Sequence, residues 1–254
     1  MATDEMTVQW YNEHAAEYTQ HVRNPDESVY HSLYEKPAMY ALLPDLQSKS
    51  VISIGCGSGE DAHYLAGRGA NQVVGVDISD RLIEIAKTSY PECQFQVMDM
   101  EKLAFADNSF DFAYSSLALH YLEDWTTALS EAHRILKQGS NYLFSCGHPV
   151  YSALETVQDD DELMIRQLSR TKDKKLDTAS VTGDYFTHRS MSDKGWVTWH
   201  KSIDEISAEV TRAGFVIAGV HEPQPLPGMK DVSPKDYDTL VKIPNFIIFK
   251  LLKI

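Results

Sequence analysis

The stretch Val51-Ile-Ser-Ile-Gly-Cys-Gly-Ser-Gly-Glu60 decides the fold of this chain. A short β-branched run ends abruptly in glycines at three alternate positions, Gly55, Gly57 and Gly59, and the following residues read as the start of a helix. Glycine lets the backbone turn sharply and approach a ligand that a Cβ would repel. The first amides of the helix offer unpaired N–H groups to a carboxylate or a phosphate. The stretch therefore predicts a strand, a glycine turn and a helix that together bind a ligand.

A second apolar run, which contains Val73, Val74 and Val76, ends on the carboxylate of Asp77. An acid at this point can accept hydrogen bonds from both hydroxyls of a ribose. Strand, glycine turn, helix, strand and acid are typical of a nucleoside site on a doubly wound α/β sheet. Dinucleotide sites prefer the spacing G-x-G-x-x-G, whereas this chain has G-x-G-x-G, so the spacing disfavours NAD. The alternative is an ordinary glycine-rich turn with a surface acid.

These two segments, IGCGSGE and the acid Asp77, resemble the first two motifs of the class I, Rossmann-like S-adenosylmethionine-dependent methyltransferases. The resemblance implies that S-adenosylmethionine is the cofactor. It also implies that Asp99 takes the adenine amino group, that the amide of Met100 reads the ring, and that Ile78 packs on its face. Asp99 has the alternative of being a plain loop acid. The implied cofactor-binding residues are Gly55, Cys56 (as a small filler), Gly57, Gly59, Asp77, Ile78, Asp99, Met100, Ser115 and Tyr18.

The resemblance extends over essentially the whole chain and implies its fold. We expect a doubly wound, mostly parallel α/β sheet of seven strands, with helices on both faces and an antiparallel last strand between the fifth and sixth. A single domain would cover residues 1–254, with N-terminal helices in 1–47, a cofactor-binding half in 48–149, a lid inserted after the fifth strand in 150–200, and the last helix and strands in 201–254.

Local patterns add further expectations for the helices. Apolar side chains step by three and four from Val8 to Val22, which predicts one amphipathic N-terminal helix. Tyr11 and Tyr18 in that helix resemble a family pattern that folds across the cofactor as a lid, although both would equally fit a plain core role, and Asn12 stands where the family has Asp. The remaining expectations are a helix opened by Pro37, a helical N-cap at Ser79, a helix closed by Gly139, and a capping box at Ser202 and Glu205.

Three histidines are candidates for a general base. His120 and His148 follow directly from the predicted fourth and fifth strands, whose carboxyl ends line the ligand crevice in such sheets. His200 lies where the predicted lid returns to the domain. Histidine titrates near neutral pH, so it suits removal of a proton from a metabolite amine or hydroxyl. Each of the three also has the ordinary alternative of a structural role.

Composition limits the kind of partner and the compartment. The 254 residues carry a net charge of −14, and the basic cluster at 170–175 is interrupted by an acid and preceded by the acidic run 159–162, so nucleic acid is an improbable partner. No apolar run approaches the length of a bilayer span, and the N-terminus has no secretory pattern. Three cysteines without paired or metal-like spacing are consistent with a reducing cytosol, and no metal site is predicted.

We therefore expect a cytoplasmic methyltransferase that moves the methyl group of S-adenosylmethionine to an N or O of a small-molecule acceptor. Segments such as Gly147-His-Pro149 and Glu222-Pro223 resemble a subgroup of small-molecule methyltransferases. The alternatives are methylation of tRNA or of a protein side chain, and a regulatory module that holds a nucleoside without turnover. An NAD-linked oxidoreductase is the weakest alternative.

Overall fold

A computed structural model describes residues 3–153, 169–170, 179–180, 184–193 and 195–254. The N-terminal segment forms two helices, α1 (Glu5–Glu13) and α2 (Ala15–Arg23), instead of the single helix that the apolar stripe predicts. They are separated at His14, where φ is −106° and ψ is 15°. The stripe stays on one side across the break, because the rings of Tyr11 and Tyr18 meet with centroids 5.3 Å apart.

A π-helical turn, His31–Glu35, leads directly into α3 (Lys36–Ala41). In this turn the Lys36 N–H donates to the carbonyl of His31, five residues earlier. Pro37 lies in the first turn of α3, as expected, although the π-helical turn precedes that helix without a break. Proline has no N–H and its ring crowds the carbonyl four residues back, so the wider turn accommodates it.

The next part of the chain alternates strands and helices as the sequence predicts. Its elements are β1 (Ser50–Ile54), α4 (Glu60–Gly67), β2 (Gln72–Asp77), α5 (Asp80–Ser89), β3 (Gln94–Val97), β4 (Phe110–Ser115), α6 (Thr126–Ile135), β5 (Leu136–Gly147) and α7 (Pro149–Ala153). A 3-10 turn, Leu119–Tyr121, follows β4. Ser79 caps α5, because its hydroxyl accepts the N–H of Leu82 at 3.2 Å, which confirms that expectation.

The C-terminal part adds short strands, a hairpin and the end of the sheet. Its elements are β6 (Ser169–Arg170), β7 (Ala179–Ser180), β8 (Arg189–Asp193), β9 (Trp196–His200), α8 (Ile203–Arg212), β10 (Phe215–His221), α9 (Met229–Val232), α10 (Pro234–Leu240) and β11 (Phe246–Lys253). The capping box that precedes α8 is present: Ser202 accepts from the Glu205 N–H, and the Glu205 side chain accepts from the Ser202 N–H at 2.7 Å.

The seven-stranded sheet has the order β10-β11-β5-β4-β1-β2-β3. Strands β1 to β5 pair in parallel, whereas β11 is antiparallel to both β5 and β10, so the predicted fold class is confirmed. Helices cover both faces, and β1 shows the consequence: Ile52 and Ile54 join one buried cluster while Val51 joins another. Strand order reverses between β1 and β4, which places a ligand crevice at their carboxyl ends.

Gly139 does not close a helix. Helix α6 ends at Ile135, and the next residue, Leu136, is already extended and pairs with Phe110 on β4. Gly139, with φ of +78°, lies inside β5 where the pairing register shifts. Gly139 therefore allows the irregular backbone at the start of β5. The chain passes from α6 to β5 without a glycine cap.

The predicted lid, 150–200, lies partly outside the described residues, as do the charged runs at 159–162 and 171–175. Its described parts are α7, the two-residue pair β6 and β7, the segment from 184, and the hairpin of β8 and β9. No described helix combines the length and the apolar character that crossing a membrane requires.

Candidate active site

A cavity of about 300 Å³ lies at the carboxyl ends of the parallel strands. Its walls come from the loop after β1, the ends of β2 and β3, the segment after β4, helices α1 and α2, and the π-helical turn. The residues that the sequence singled out and that line this cavity are Tyr18, Gly55, Cys56, Gly57, Asp77, Ile78, Asp99, Met100 and His120. Most of the predicted site is therefore assembled around one space.

The three glycines of the loop have different structural roles. Gly57, with φ of +54°, faces the cavity, and a Cβ there would point at the ring of Tyr18, 3.7 Å away. Gly55 also has positive φ, and its Cβ would lie 2.4 Å from the Cβ of Ala118. Gly59 is not among the described residues that line the cavity; its Cβ would lie 2.9 Å from Phe95. Gly59 thus permits close packing behind the loop, and Gly57 keeps ligand space open.

Asp77 is fixed by the backbone around it. Its Oδ2 accepts the N–H of Gly57 at 2.8 Å and its Oδ1 accepts the N–H of Ser79 at 2.9 Å. Burial raises the pKa of the Asp77 carboxyl, and these amide donors oppose the rise because they favour the charged form. Each carboxylate oxygen has a further lone pair, so the side chain can still accept hydrogen bonds from a ligand in the cavity.

The segment after β3 supplies the neighbouring wall. Asp99 and Met100 both line the cavity together with Ile78, so the two strand ends meet there. Asp99 accepts the N–H of Glu101 at 2.9 Å through Oδ1, which fixes its side chain on its own loop. Ile78 and Met100 thus form an apolar face beside the carboxyl group of Asp99.

Two other residues of the predicted cofactor set behave as spacers. Cys56 lines the cavity, and burial raises the pKa of its thiol, so it stays protonated and acts as a small filler. Ser115 is 1% exposed and lies outside the described cavity wall. The next residue, Ser116, lines the cavity instead, because successive side chains at a strand end point in opposite directions.

Aromatic side chains from α1, α2 and the turn after β4 cover the cavity. The hydroxyls of Tyr11 and Tyr121 lie 2.5 Å apart, and their ring centroids are 5.7 Å apart. Tyr18 lies edge-on to Tyr11 and faces Gly57 across the cavity. Burial raises the pKa of all three phenols, that of Tyr121 to about 12, so they stay protonated and are able to donate hydrogen bonds.

The three candidate histidines are not brought together. His120 lines the cavity, whereas neither His148 nor His200 belongs to the described cavity wall. Burial lowers the pKa of His120 to about 4, so its ring is neutral at neutral pH. Its Nδ1 is buried and has no hydrogen-bond partner among the described residues. His120 therefore places a neutral imidazole in the cavity wall.

Hydrogen bonds engage both ring nitrogens of the other two histidines. Nε2 of His148 lies 2.9 Å from Glu222, and its Nδ1 accepts a backbone N–H at 3.1 Å. Nδ1 of His200 lies 2.7 Å from the hydroxyl of Ser152, and its Nε2 lies 2.9 Å from the carbonyl of Tyr185. These two rings are thus occupied in joining segments of the fold.

The cavity also contains polar residues that no sequence pattern indicated. His31, Lys36 and Asp61 line it beside the predicted set. Lys36 Nζ and the hydroxyl of Tyr40 both lie 2.6 Å from Asp61 Oδ1. Burial lowers the pKa of His31 to about 4, and its Nδ1 has no hydrogen-bond partner in the described part of the chain. Asp61 follows the glycine loop and was open to prediction, but His31 and Lys36 belong to the π-helical turn and its junction, which have no sequence signature.

Comparisons with known proteins agree with this geometry. The sequence model of a family described as a methyltransferase domain matches residues 52–144, which run from β1 to β5. An S-adenosylmethionine-dependent methyltransferase structure from Mesorhizobium loti has a TM-score of 0.72 and 25% identity, and the match covers 89% of this chain and 99% of that one. A second methyltransferase structure, assigned as S-adenosylmethionine-dependent, from Listeria monocytogenes has a TM-score of 0.69 and 26% identity over 87% of this chain and 96% of that one.

A curated relative agrees as well. A malonyl-[acyl-carrier protein] O-methyltransferase from Erwinia billingiae is 33% identical over 99 residues, which are 39% of this chain and 39% of that protein. Fold, site and relatives define one class of enzyme. The protein is an S-adenosylmethionine-dependent methyltransferase with the class I, Rossmann-like fold, and S-adenosylmethionine is its methyl donor.

Proposed function

We propose that this methyltransferase acts on a small metabolite and methylates one of its N or O atoms. The observation that carries the proposal is the cover of the cavity, in which the Tyr11 and Tyr121 hydroxyls join α1 to the segment after β4 at 2.5 Å. An acceptor beneath that cover must fit in the cavity together with the methyl donor. A nucleic acid or a folded protein could present only a protruding group to it.

The wall that carries Gly57 and Asp77 suits the ribose and methionine parts of the donor. Gly57 leaves open the space that a Cβ would fill, and the carboxylate of Asp77 is fixed for hydrogen bonds to hydroxyls. Asp99, Met100 and Ile78 form the apolar and acidic wall that suits adenine. These assignments support binding of the donor in one orientation, with its methyl group directed away from the adenine wall.

The remaining wall is left for the acceptor. It includes His31, His120 and Ser116, each of which can hydrogen-bond a small polar molecule. The sulfonium of the donor is already an excellent leaving group, so the protein mainly has to align the reacting atoms and exclude water. The named activity of the curated relative, an O-methyltransferase, supports oxygen as the acceptor atom.

Incubation of the protein with a metabolite extract and methyl-labelled S-adenosylmethionine tests the proposal. Mass spectrometry should find the label on a low-molecular-weight compound, and an Asp77→Ala variant should leave the extract unlabelled. Label on tRNA or on protein side chains would favour those acceptors instead. Binding of the donor with no labelled product from extract, tRNA or protein would contradict the proposal and favour a regulatory role.

A further inference from the structure

A fully buried carboxylate lies directly behind the cavity wall. Glu35 is 0% exposed and is the last residue of the π-helical turn. Its Oε1 accepts the hydroxyl of Ser116 at 3.0 Å and the hydroxyl of Ser145 at 2.5 Å. Its Oε2 is buried without a hydrogen-bond partner among the described residues. Because Ser116 lines the cavity, one hydroxyl links this hidden acid to the acceptor space.

The backbone around Ser116 is held in an unusual conformation. The next residue, Leu117, has φ of +51°. Residues other than glycine rarely adopt this left-handed backbone conformation. Its N–H donates to the hydroxyl of Ser145 at 3.1 Å, which ties the strained turn to the same serine that contacts Glu35. Strained turns and π-helical turns both concentrate at functional sites, and here they meet at one carboxylate.

The charges that face Glu35 do not neutralise it. Lys36 on α3 is the nearest cation, but its ammonium is paired with Asp61 on α4 at 2.6 Å. The phenols of Tyr40 and Tyr114 also face the carboxylate, and burial keeps both protonated. Burial raises the pKa of Glu35, and Lys36 and the two serine hydroxyls oppose that rise. A buried acid with a raised pKa is suited to hold a proton near neutral pH.

We propose that Ser116 and Glu35 form a proton relay for methyl transfer and that the acceptor is accordingly a hydroxyl compound, an alcohol or a phenol. This inference rests on the proposed function. Ser116 is the residue that touches the acceptor, and Glu35 is a positioning residue that acts through it. An acceptor that is already ionised at neutral pH, such as a carboxylate, needs no such relay.

The proton and electron balance of the step is complete. The acceptor oxygen forms a bond to the methyl carbon while the methyl–sulfur bond breaks. The electron pair of the broken bond stays on sulfur, so the sulfonium becomes a neutral thioether. The acceptor proton passes to the Ser116 oxygen as the Ser116 proton passes to Glu35. Glu35 ends the step as a neutral acid and returns its proton to solvent after product release.

The neutral histidines are poorer proton acceptors than Glu35. Burial lowers the pKa of both His31 and His120 to about 4, so neither holds a proton near neutral pH. Burial acts on a carboxylate in the opposite direction, because there the protonated form is the neutral one. The two imidazoles are left to orient the acceptor by hydrogen bonds.

An assay with methyl-labelled S-adenosylmethionine and a panel of small phenols and alcohols, each matched with a carboxylic acid, tests the relay. The hydroxyl compounds should be methylated, and kcat should rise with pH. Ser116→Ala and Glu35→Gln should each lower kcat by ~10²-fold with little change in KM, and Glu35→Gln should abolish the rise with pH. Glu209→Gln is the control, because Glu209 is a buried carboxylate paired with Lys201 outside the described cavity wall.

Infrared difference spectra between wild type and Glu35→Gln, with S-adenosylhomocysteine bound, test the titration without any acceptor. A carboxylic acid band that fades as the pH rises, with a midpoint above the usual glutamate value of about 4.3, supports the relay. A Glu35 that is ionised, or protonated, at every pH from 5 to 9 overturns it, as does methylation of the carboxylic acids alone. The labelled metabolite extract separates these results from failure of the proposed function, because a labelled small compound upholds that function even where the relay fails.

Discussion

Gly57 and Asp77 are joined by a hydrogen bond of 2.8 Å, from the glycine N–H to the carboxylate Oδ2. The bond connects the loop after β1 with the end of β2, so the two parts of the proposed donor site are fixed to one another before any ligand binds. A site that is already ordered loses less conformational freedom when the ligand binds, so its affinity for the ligand is higher. The same bond makes Asp77 a support for the loop as well as the proposed ligand contact.

Asp77→Ala should weaken binding of S-adenosylhomocysteine by roughly 1.5–3 kcal/mol, the usual value of hydrogen bonds to a charged acceptor. The variant also leaves the N–H groups of Gly57 and Ser79 without their carboxylate. Calorimetric titration measures the change. Asp80→Ala, which removes an exposed acid three residues further on, should bind almost normally. If wild type and Asp77→Ala bind S-adenosylhomocysteine with equal affinity, Asp77 does not contact the donor.

Gly57→Val should abolish donor binding while the fold persists. The valine would have to adopt a φ of +54°, and its side chain would extend from the loop toward Tyr18 across the cavity. Gly67→Ala is the matched control, because that glycine ends α4 and no atom lies within 4 Å of its added Cβ. Circular dichroism should show both variants folded, and only the first should lose the calorimetric signal. A Gly57→Val protein that still binds would show that the loop does not face the donor.

Hydrogen exchange should detect opening of the cavity cover. The N–H of Val197 in β9 donates to the Thr7 hydroxyl at 2.9 Å, and Trp10 packs against Trp196 with ring centroids 4.4 Å apart. We expect α1, α2 and the β8–β9 hairpin to exchange slowly with S-adenosylhomocysteine bound and faster without it.

Thr7→Val should speed exchange in both α1 and β9 of the free protein, since it removes the hydroxyl that joins them. Gln9→Ala, which removes an exposed contact with Glu13 on the same helix, should not. If the ligand leaves exchange unchanged, these elements are a static scaffold, and Tyr11 and Tyr18 are core residues.

Acid should destabilise the protein through its buried histidines. The folded pKa of about 4 for His31 and His120 lies below the ordinary value of 6.5, so the unfolded chain binds more protons between these two values. Stability therefore rises with pH through that window and falls as the pH drops from 6.5 toward 4. His31→Asn and His120→Asn should each flatten the dependence of Tm on pH. His221→Asn, at an exposed position, should leave the slope unchanged.

Once an acceptor is identified, variants of His120, His148 and His200 should differ in whether they lower kcat or Tm. His120→Asn should lower kcat by ~10²-fold if its free ring nitrogen contacts the acceptor, with donor affinity preserved. His148→Asn and His200→Asn should lower Tm instead, because their rings join segments of the fold through both nitrogens. Steady-state assays and thermal melts on the same three preparations give the comparison. A large loss of kcat in His148→Asn would show that it reaches the reaction after all.

Local patterns predicted the elements whose signals are themselves local. The glycine spacing and Asp77 located the loop and the second strand, and Ser202 with Glu205 located the start of α8. Side chains that depend on how distant segments pack were harder to predict. His148 follows a strand end as expected, yet its ring is bonded to Glu222, far along the chain, and does not belong to the described cavity wall.

Departures from regular helix geometry also escaped prediction. Tyr11 and Tyr18 fit a single helical repeat, so their stripe does not reveal the break at His14. The π-helical turn carries no characteristic residues either, and it determines that His31 faces the cavity and that Glu35 lies behind the wall. These positions follow from five-residue hydrogen bonding in the turn, which apolar periodicity does not report.

The N–H and the hydroxyl of Ser79 make hydrogen bonds to three parts of the molecule. Its N–H donates to Asp77 at 2.9 Å, its hydroxyl accepts the N–H of Leu82 at 3.2 Å, and the same hydroxyl donates to Asn12 at 2.6 Å. Substitutions at Asp77 and Asn12 therefore share a partner although they belong to different elements. Their energetic effects should not add, and a double-mutant cycle through these positions would measure how strongly the α1 helix and the Asp77 carboxylate are coupled.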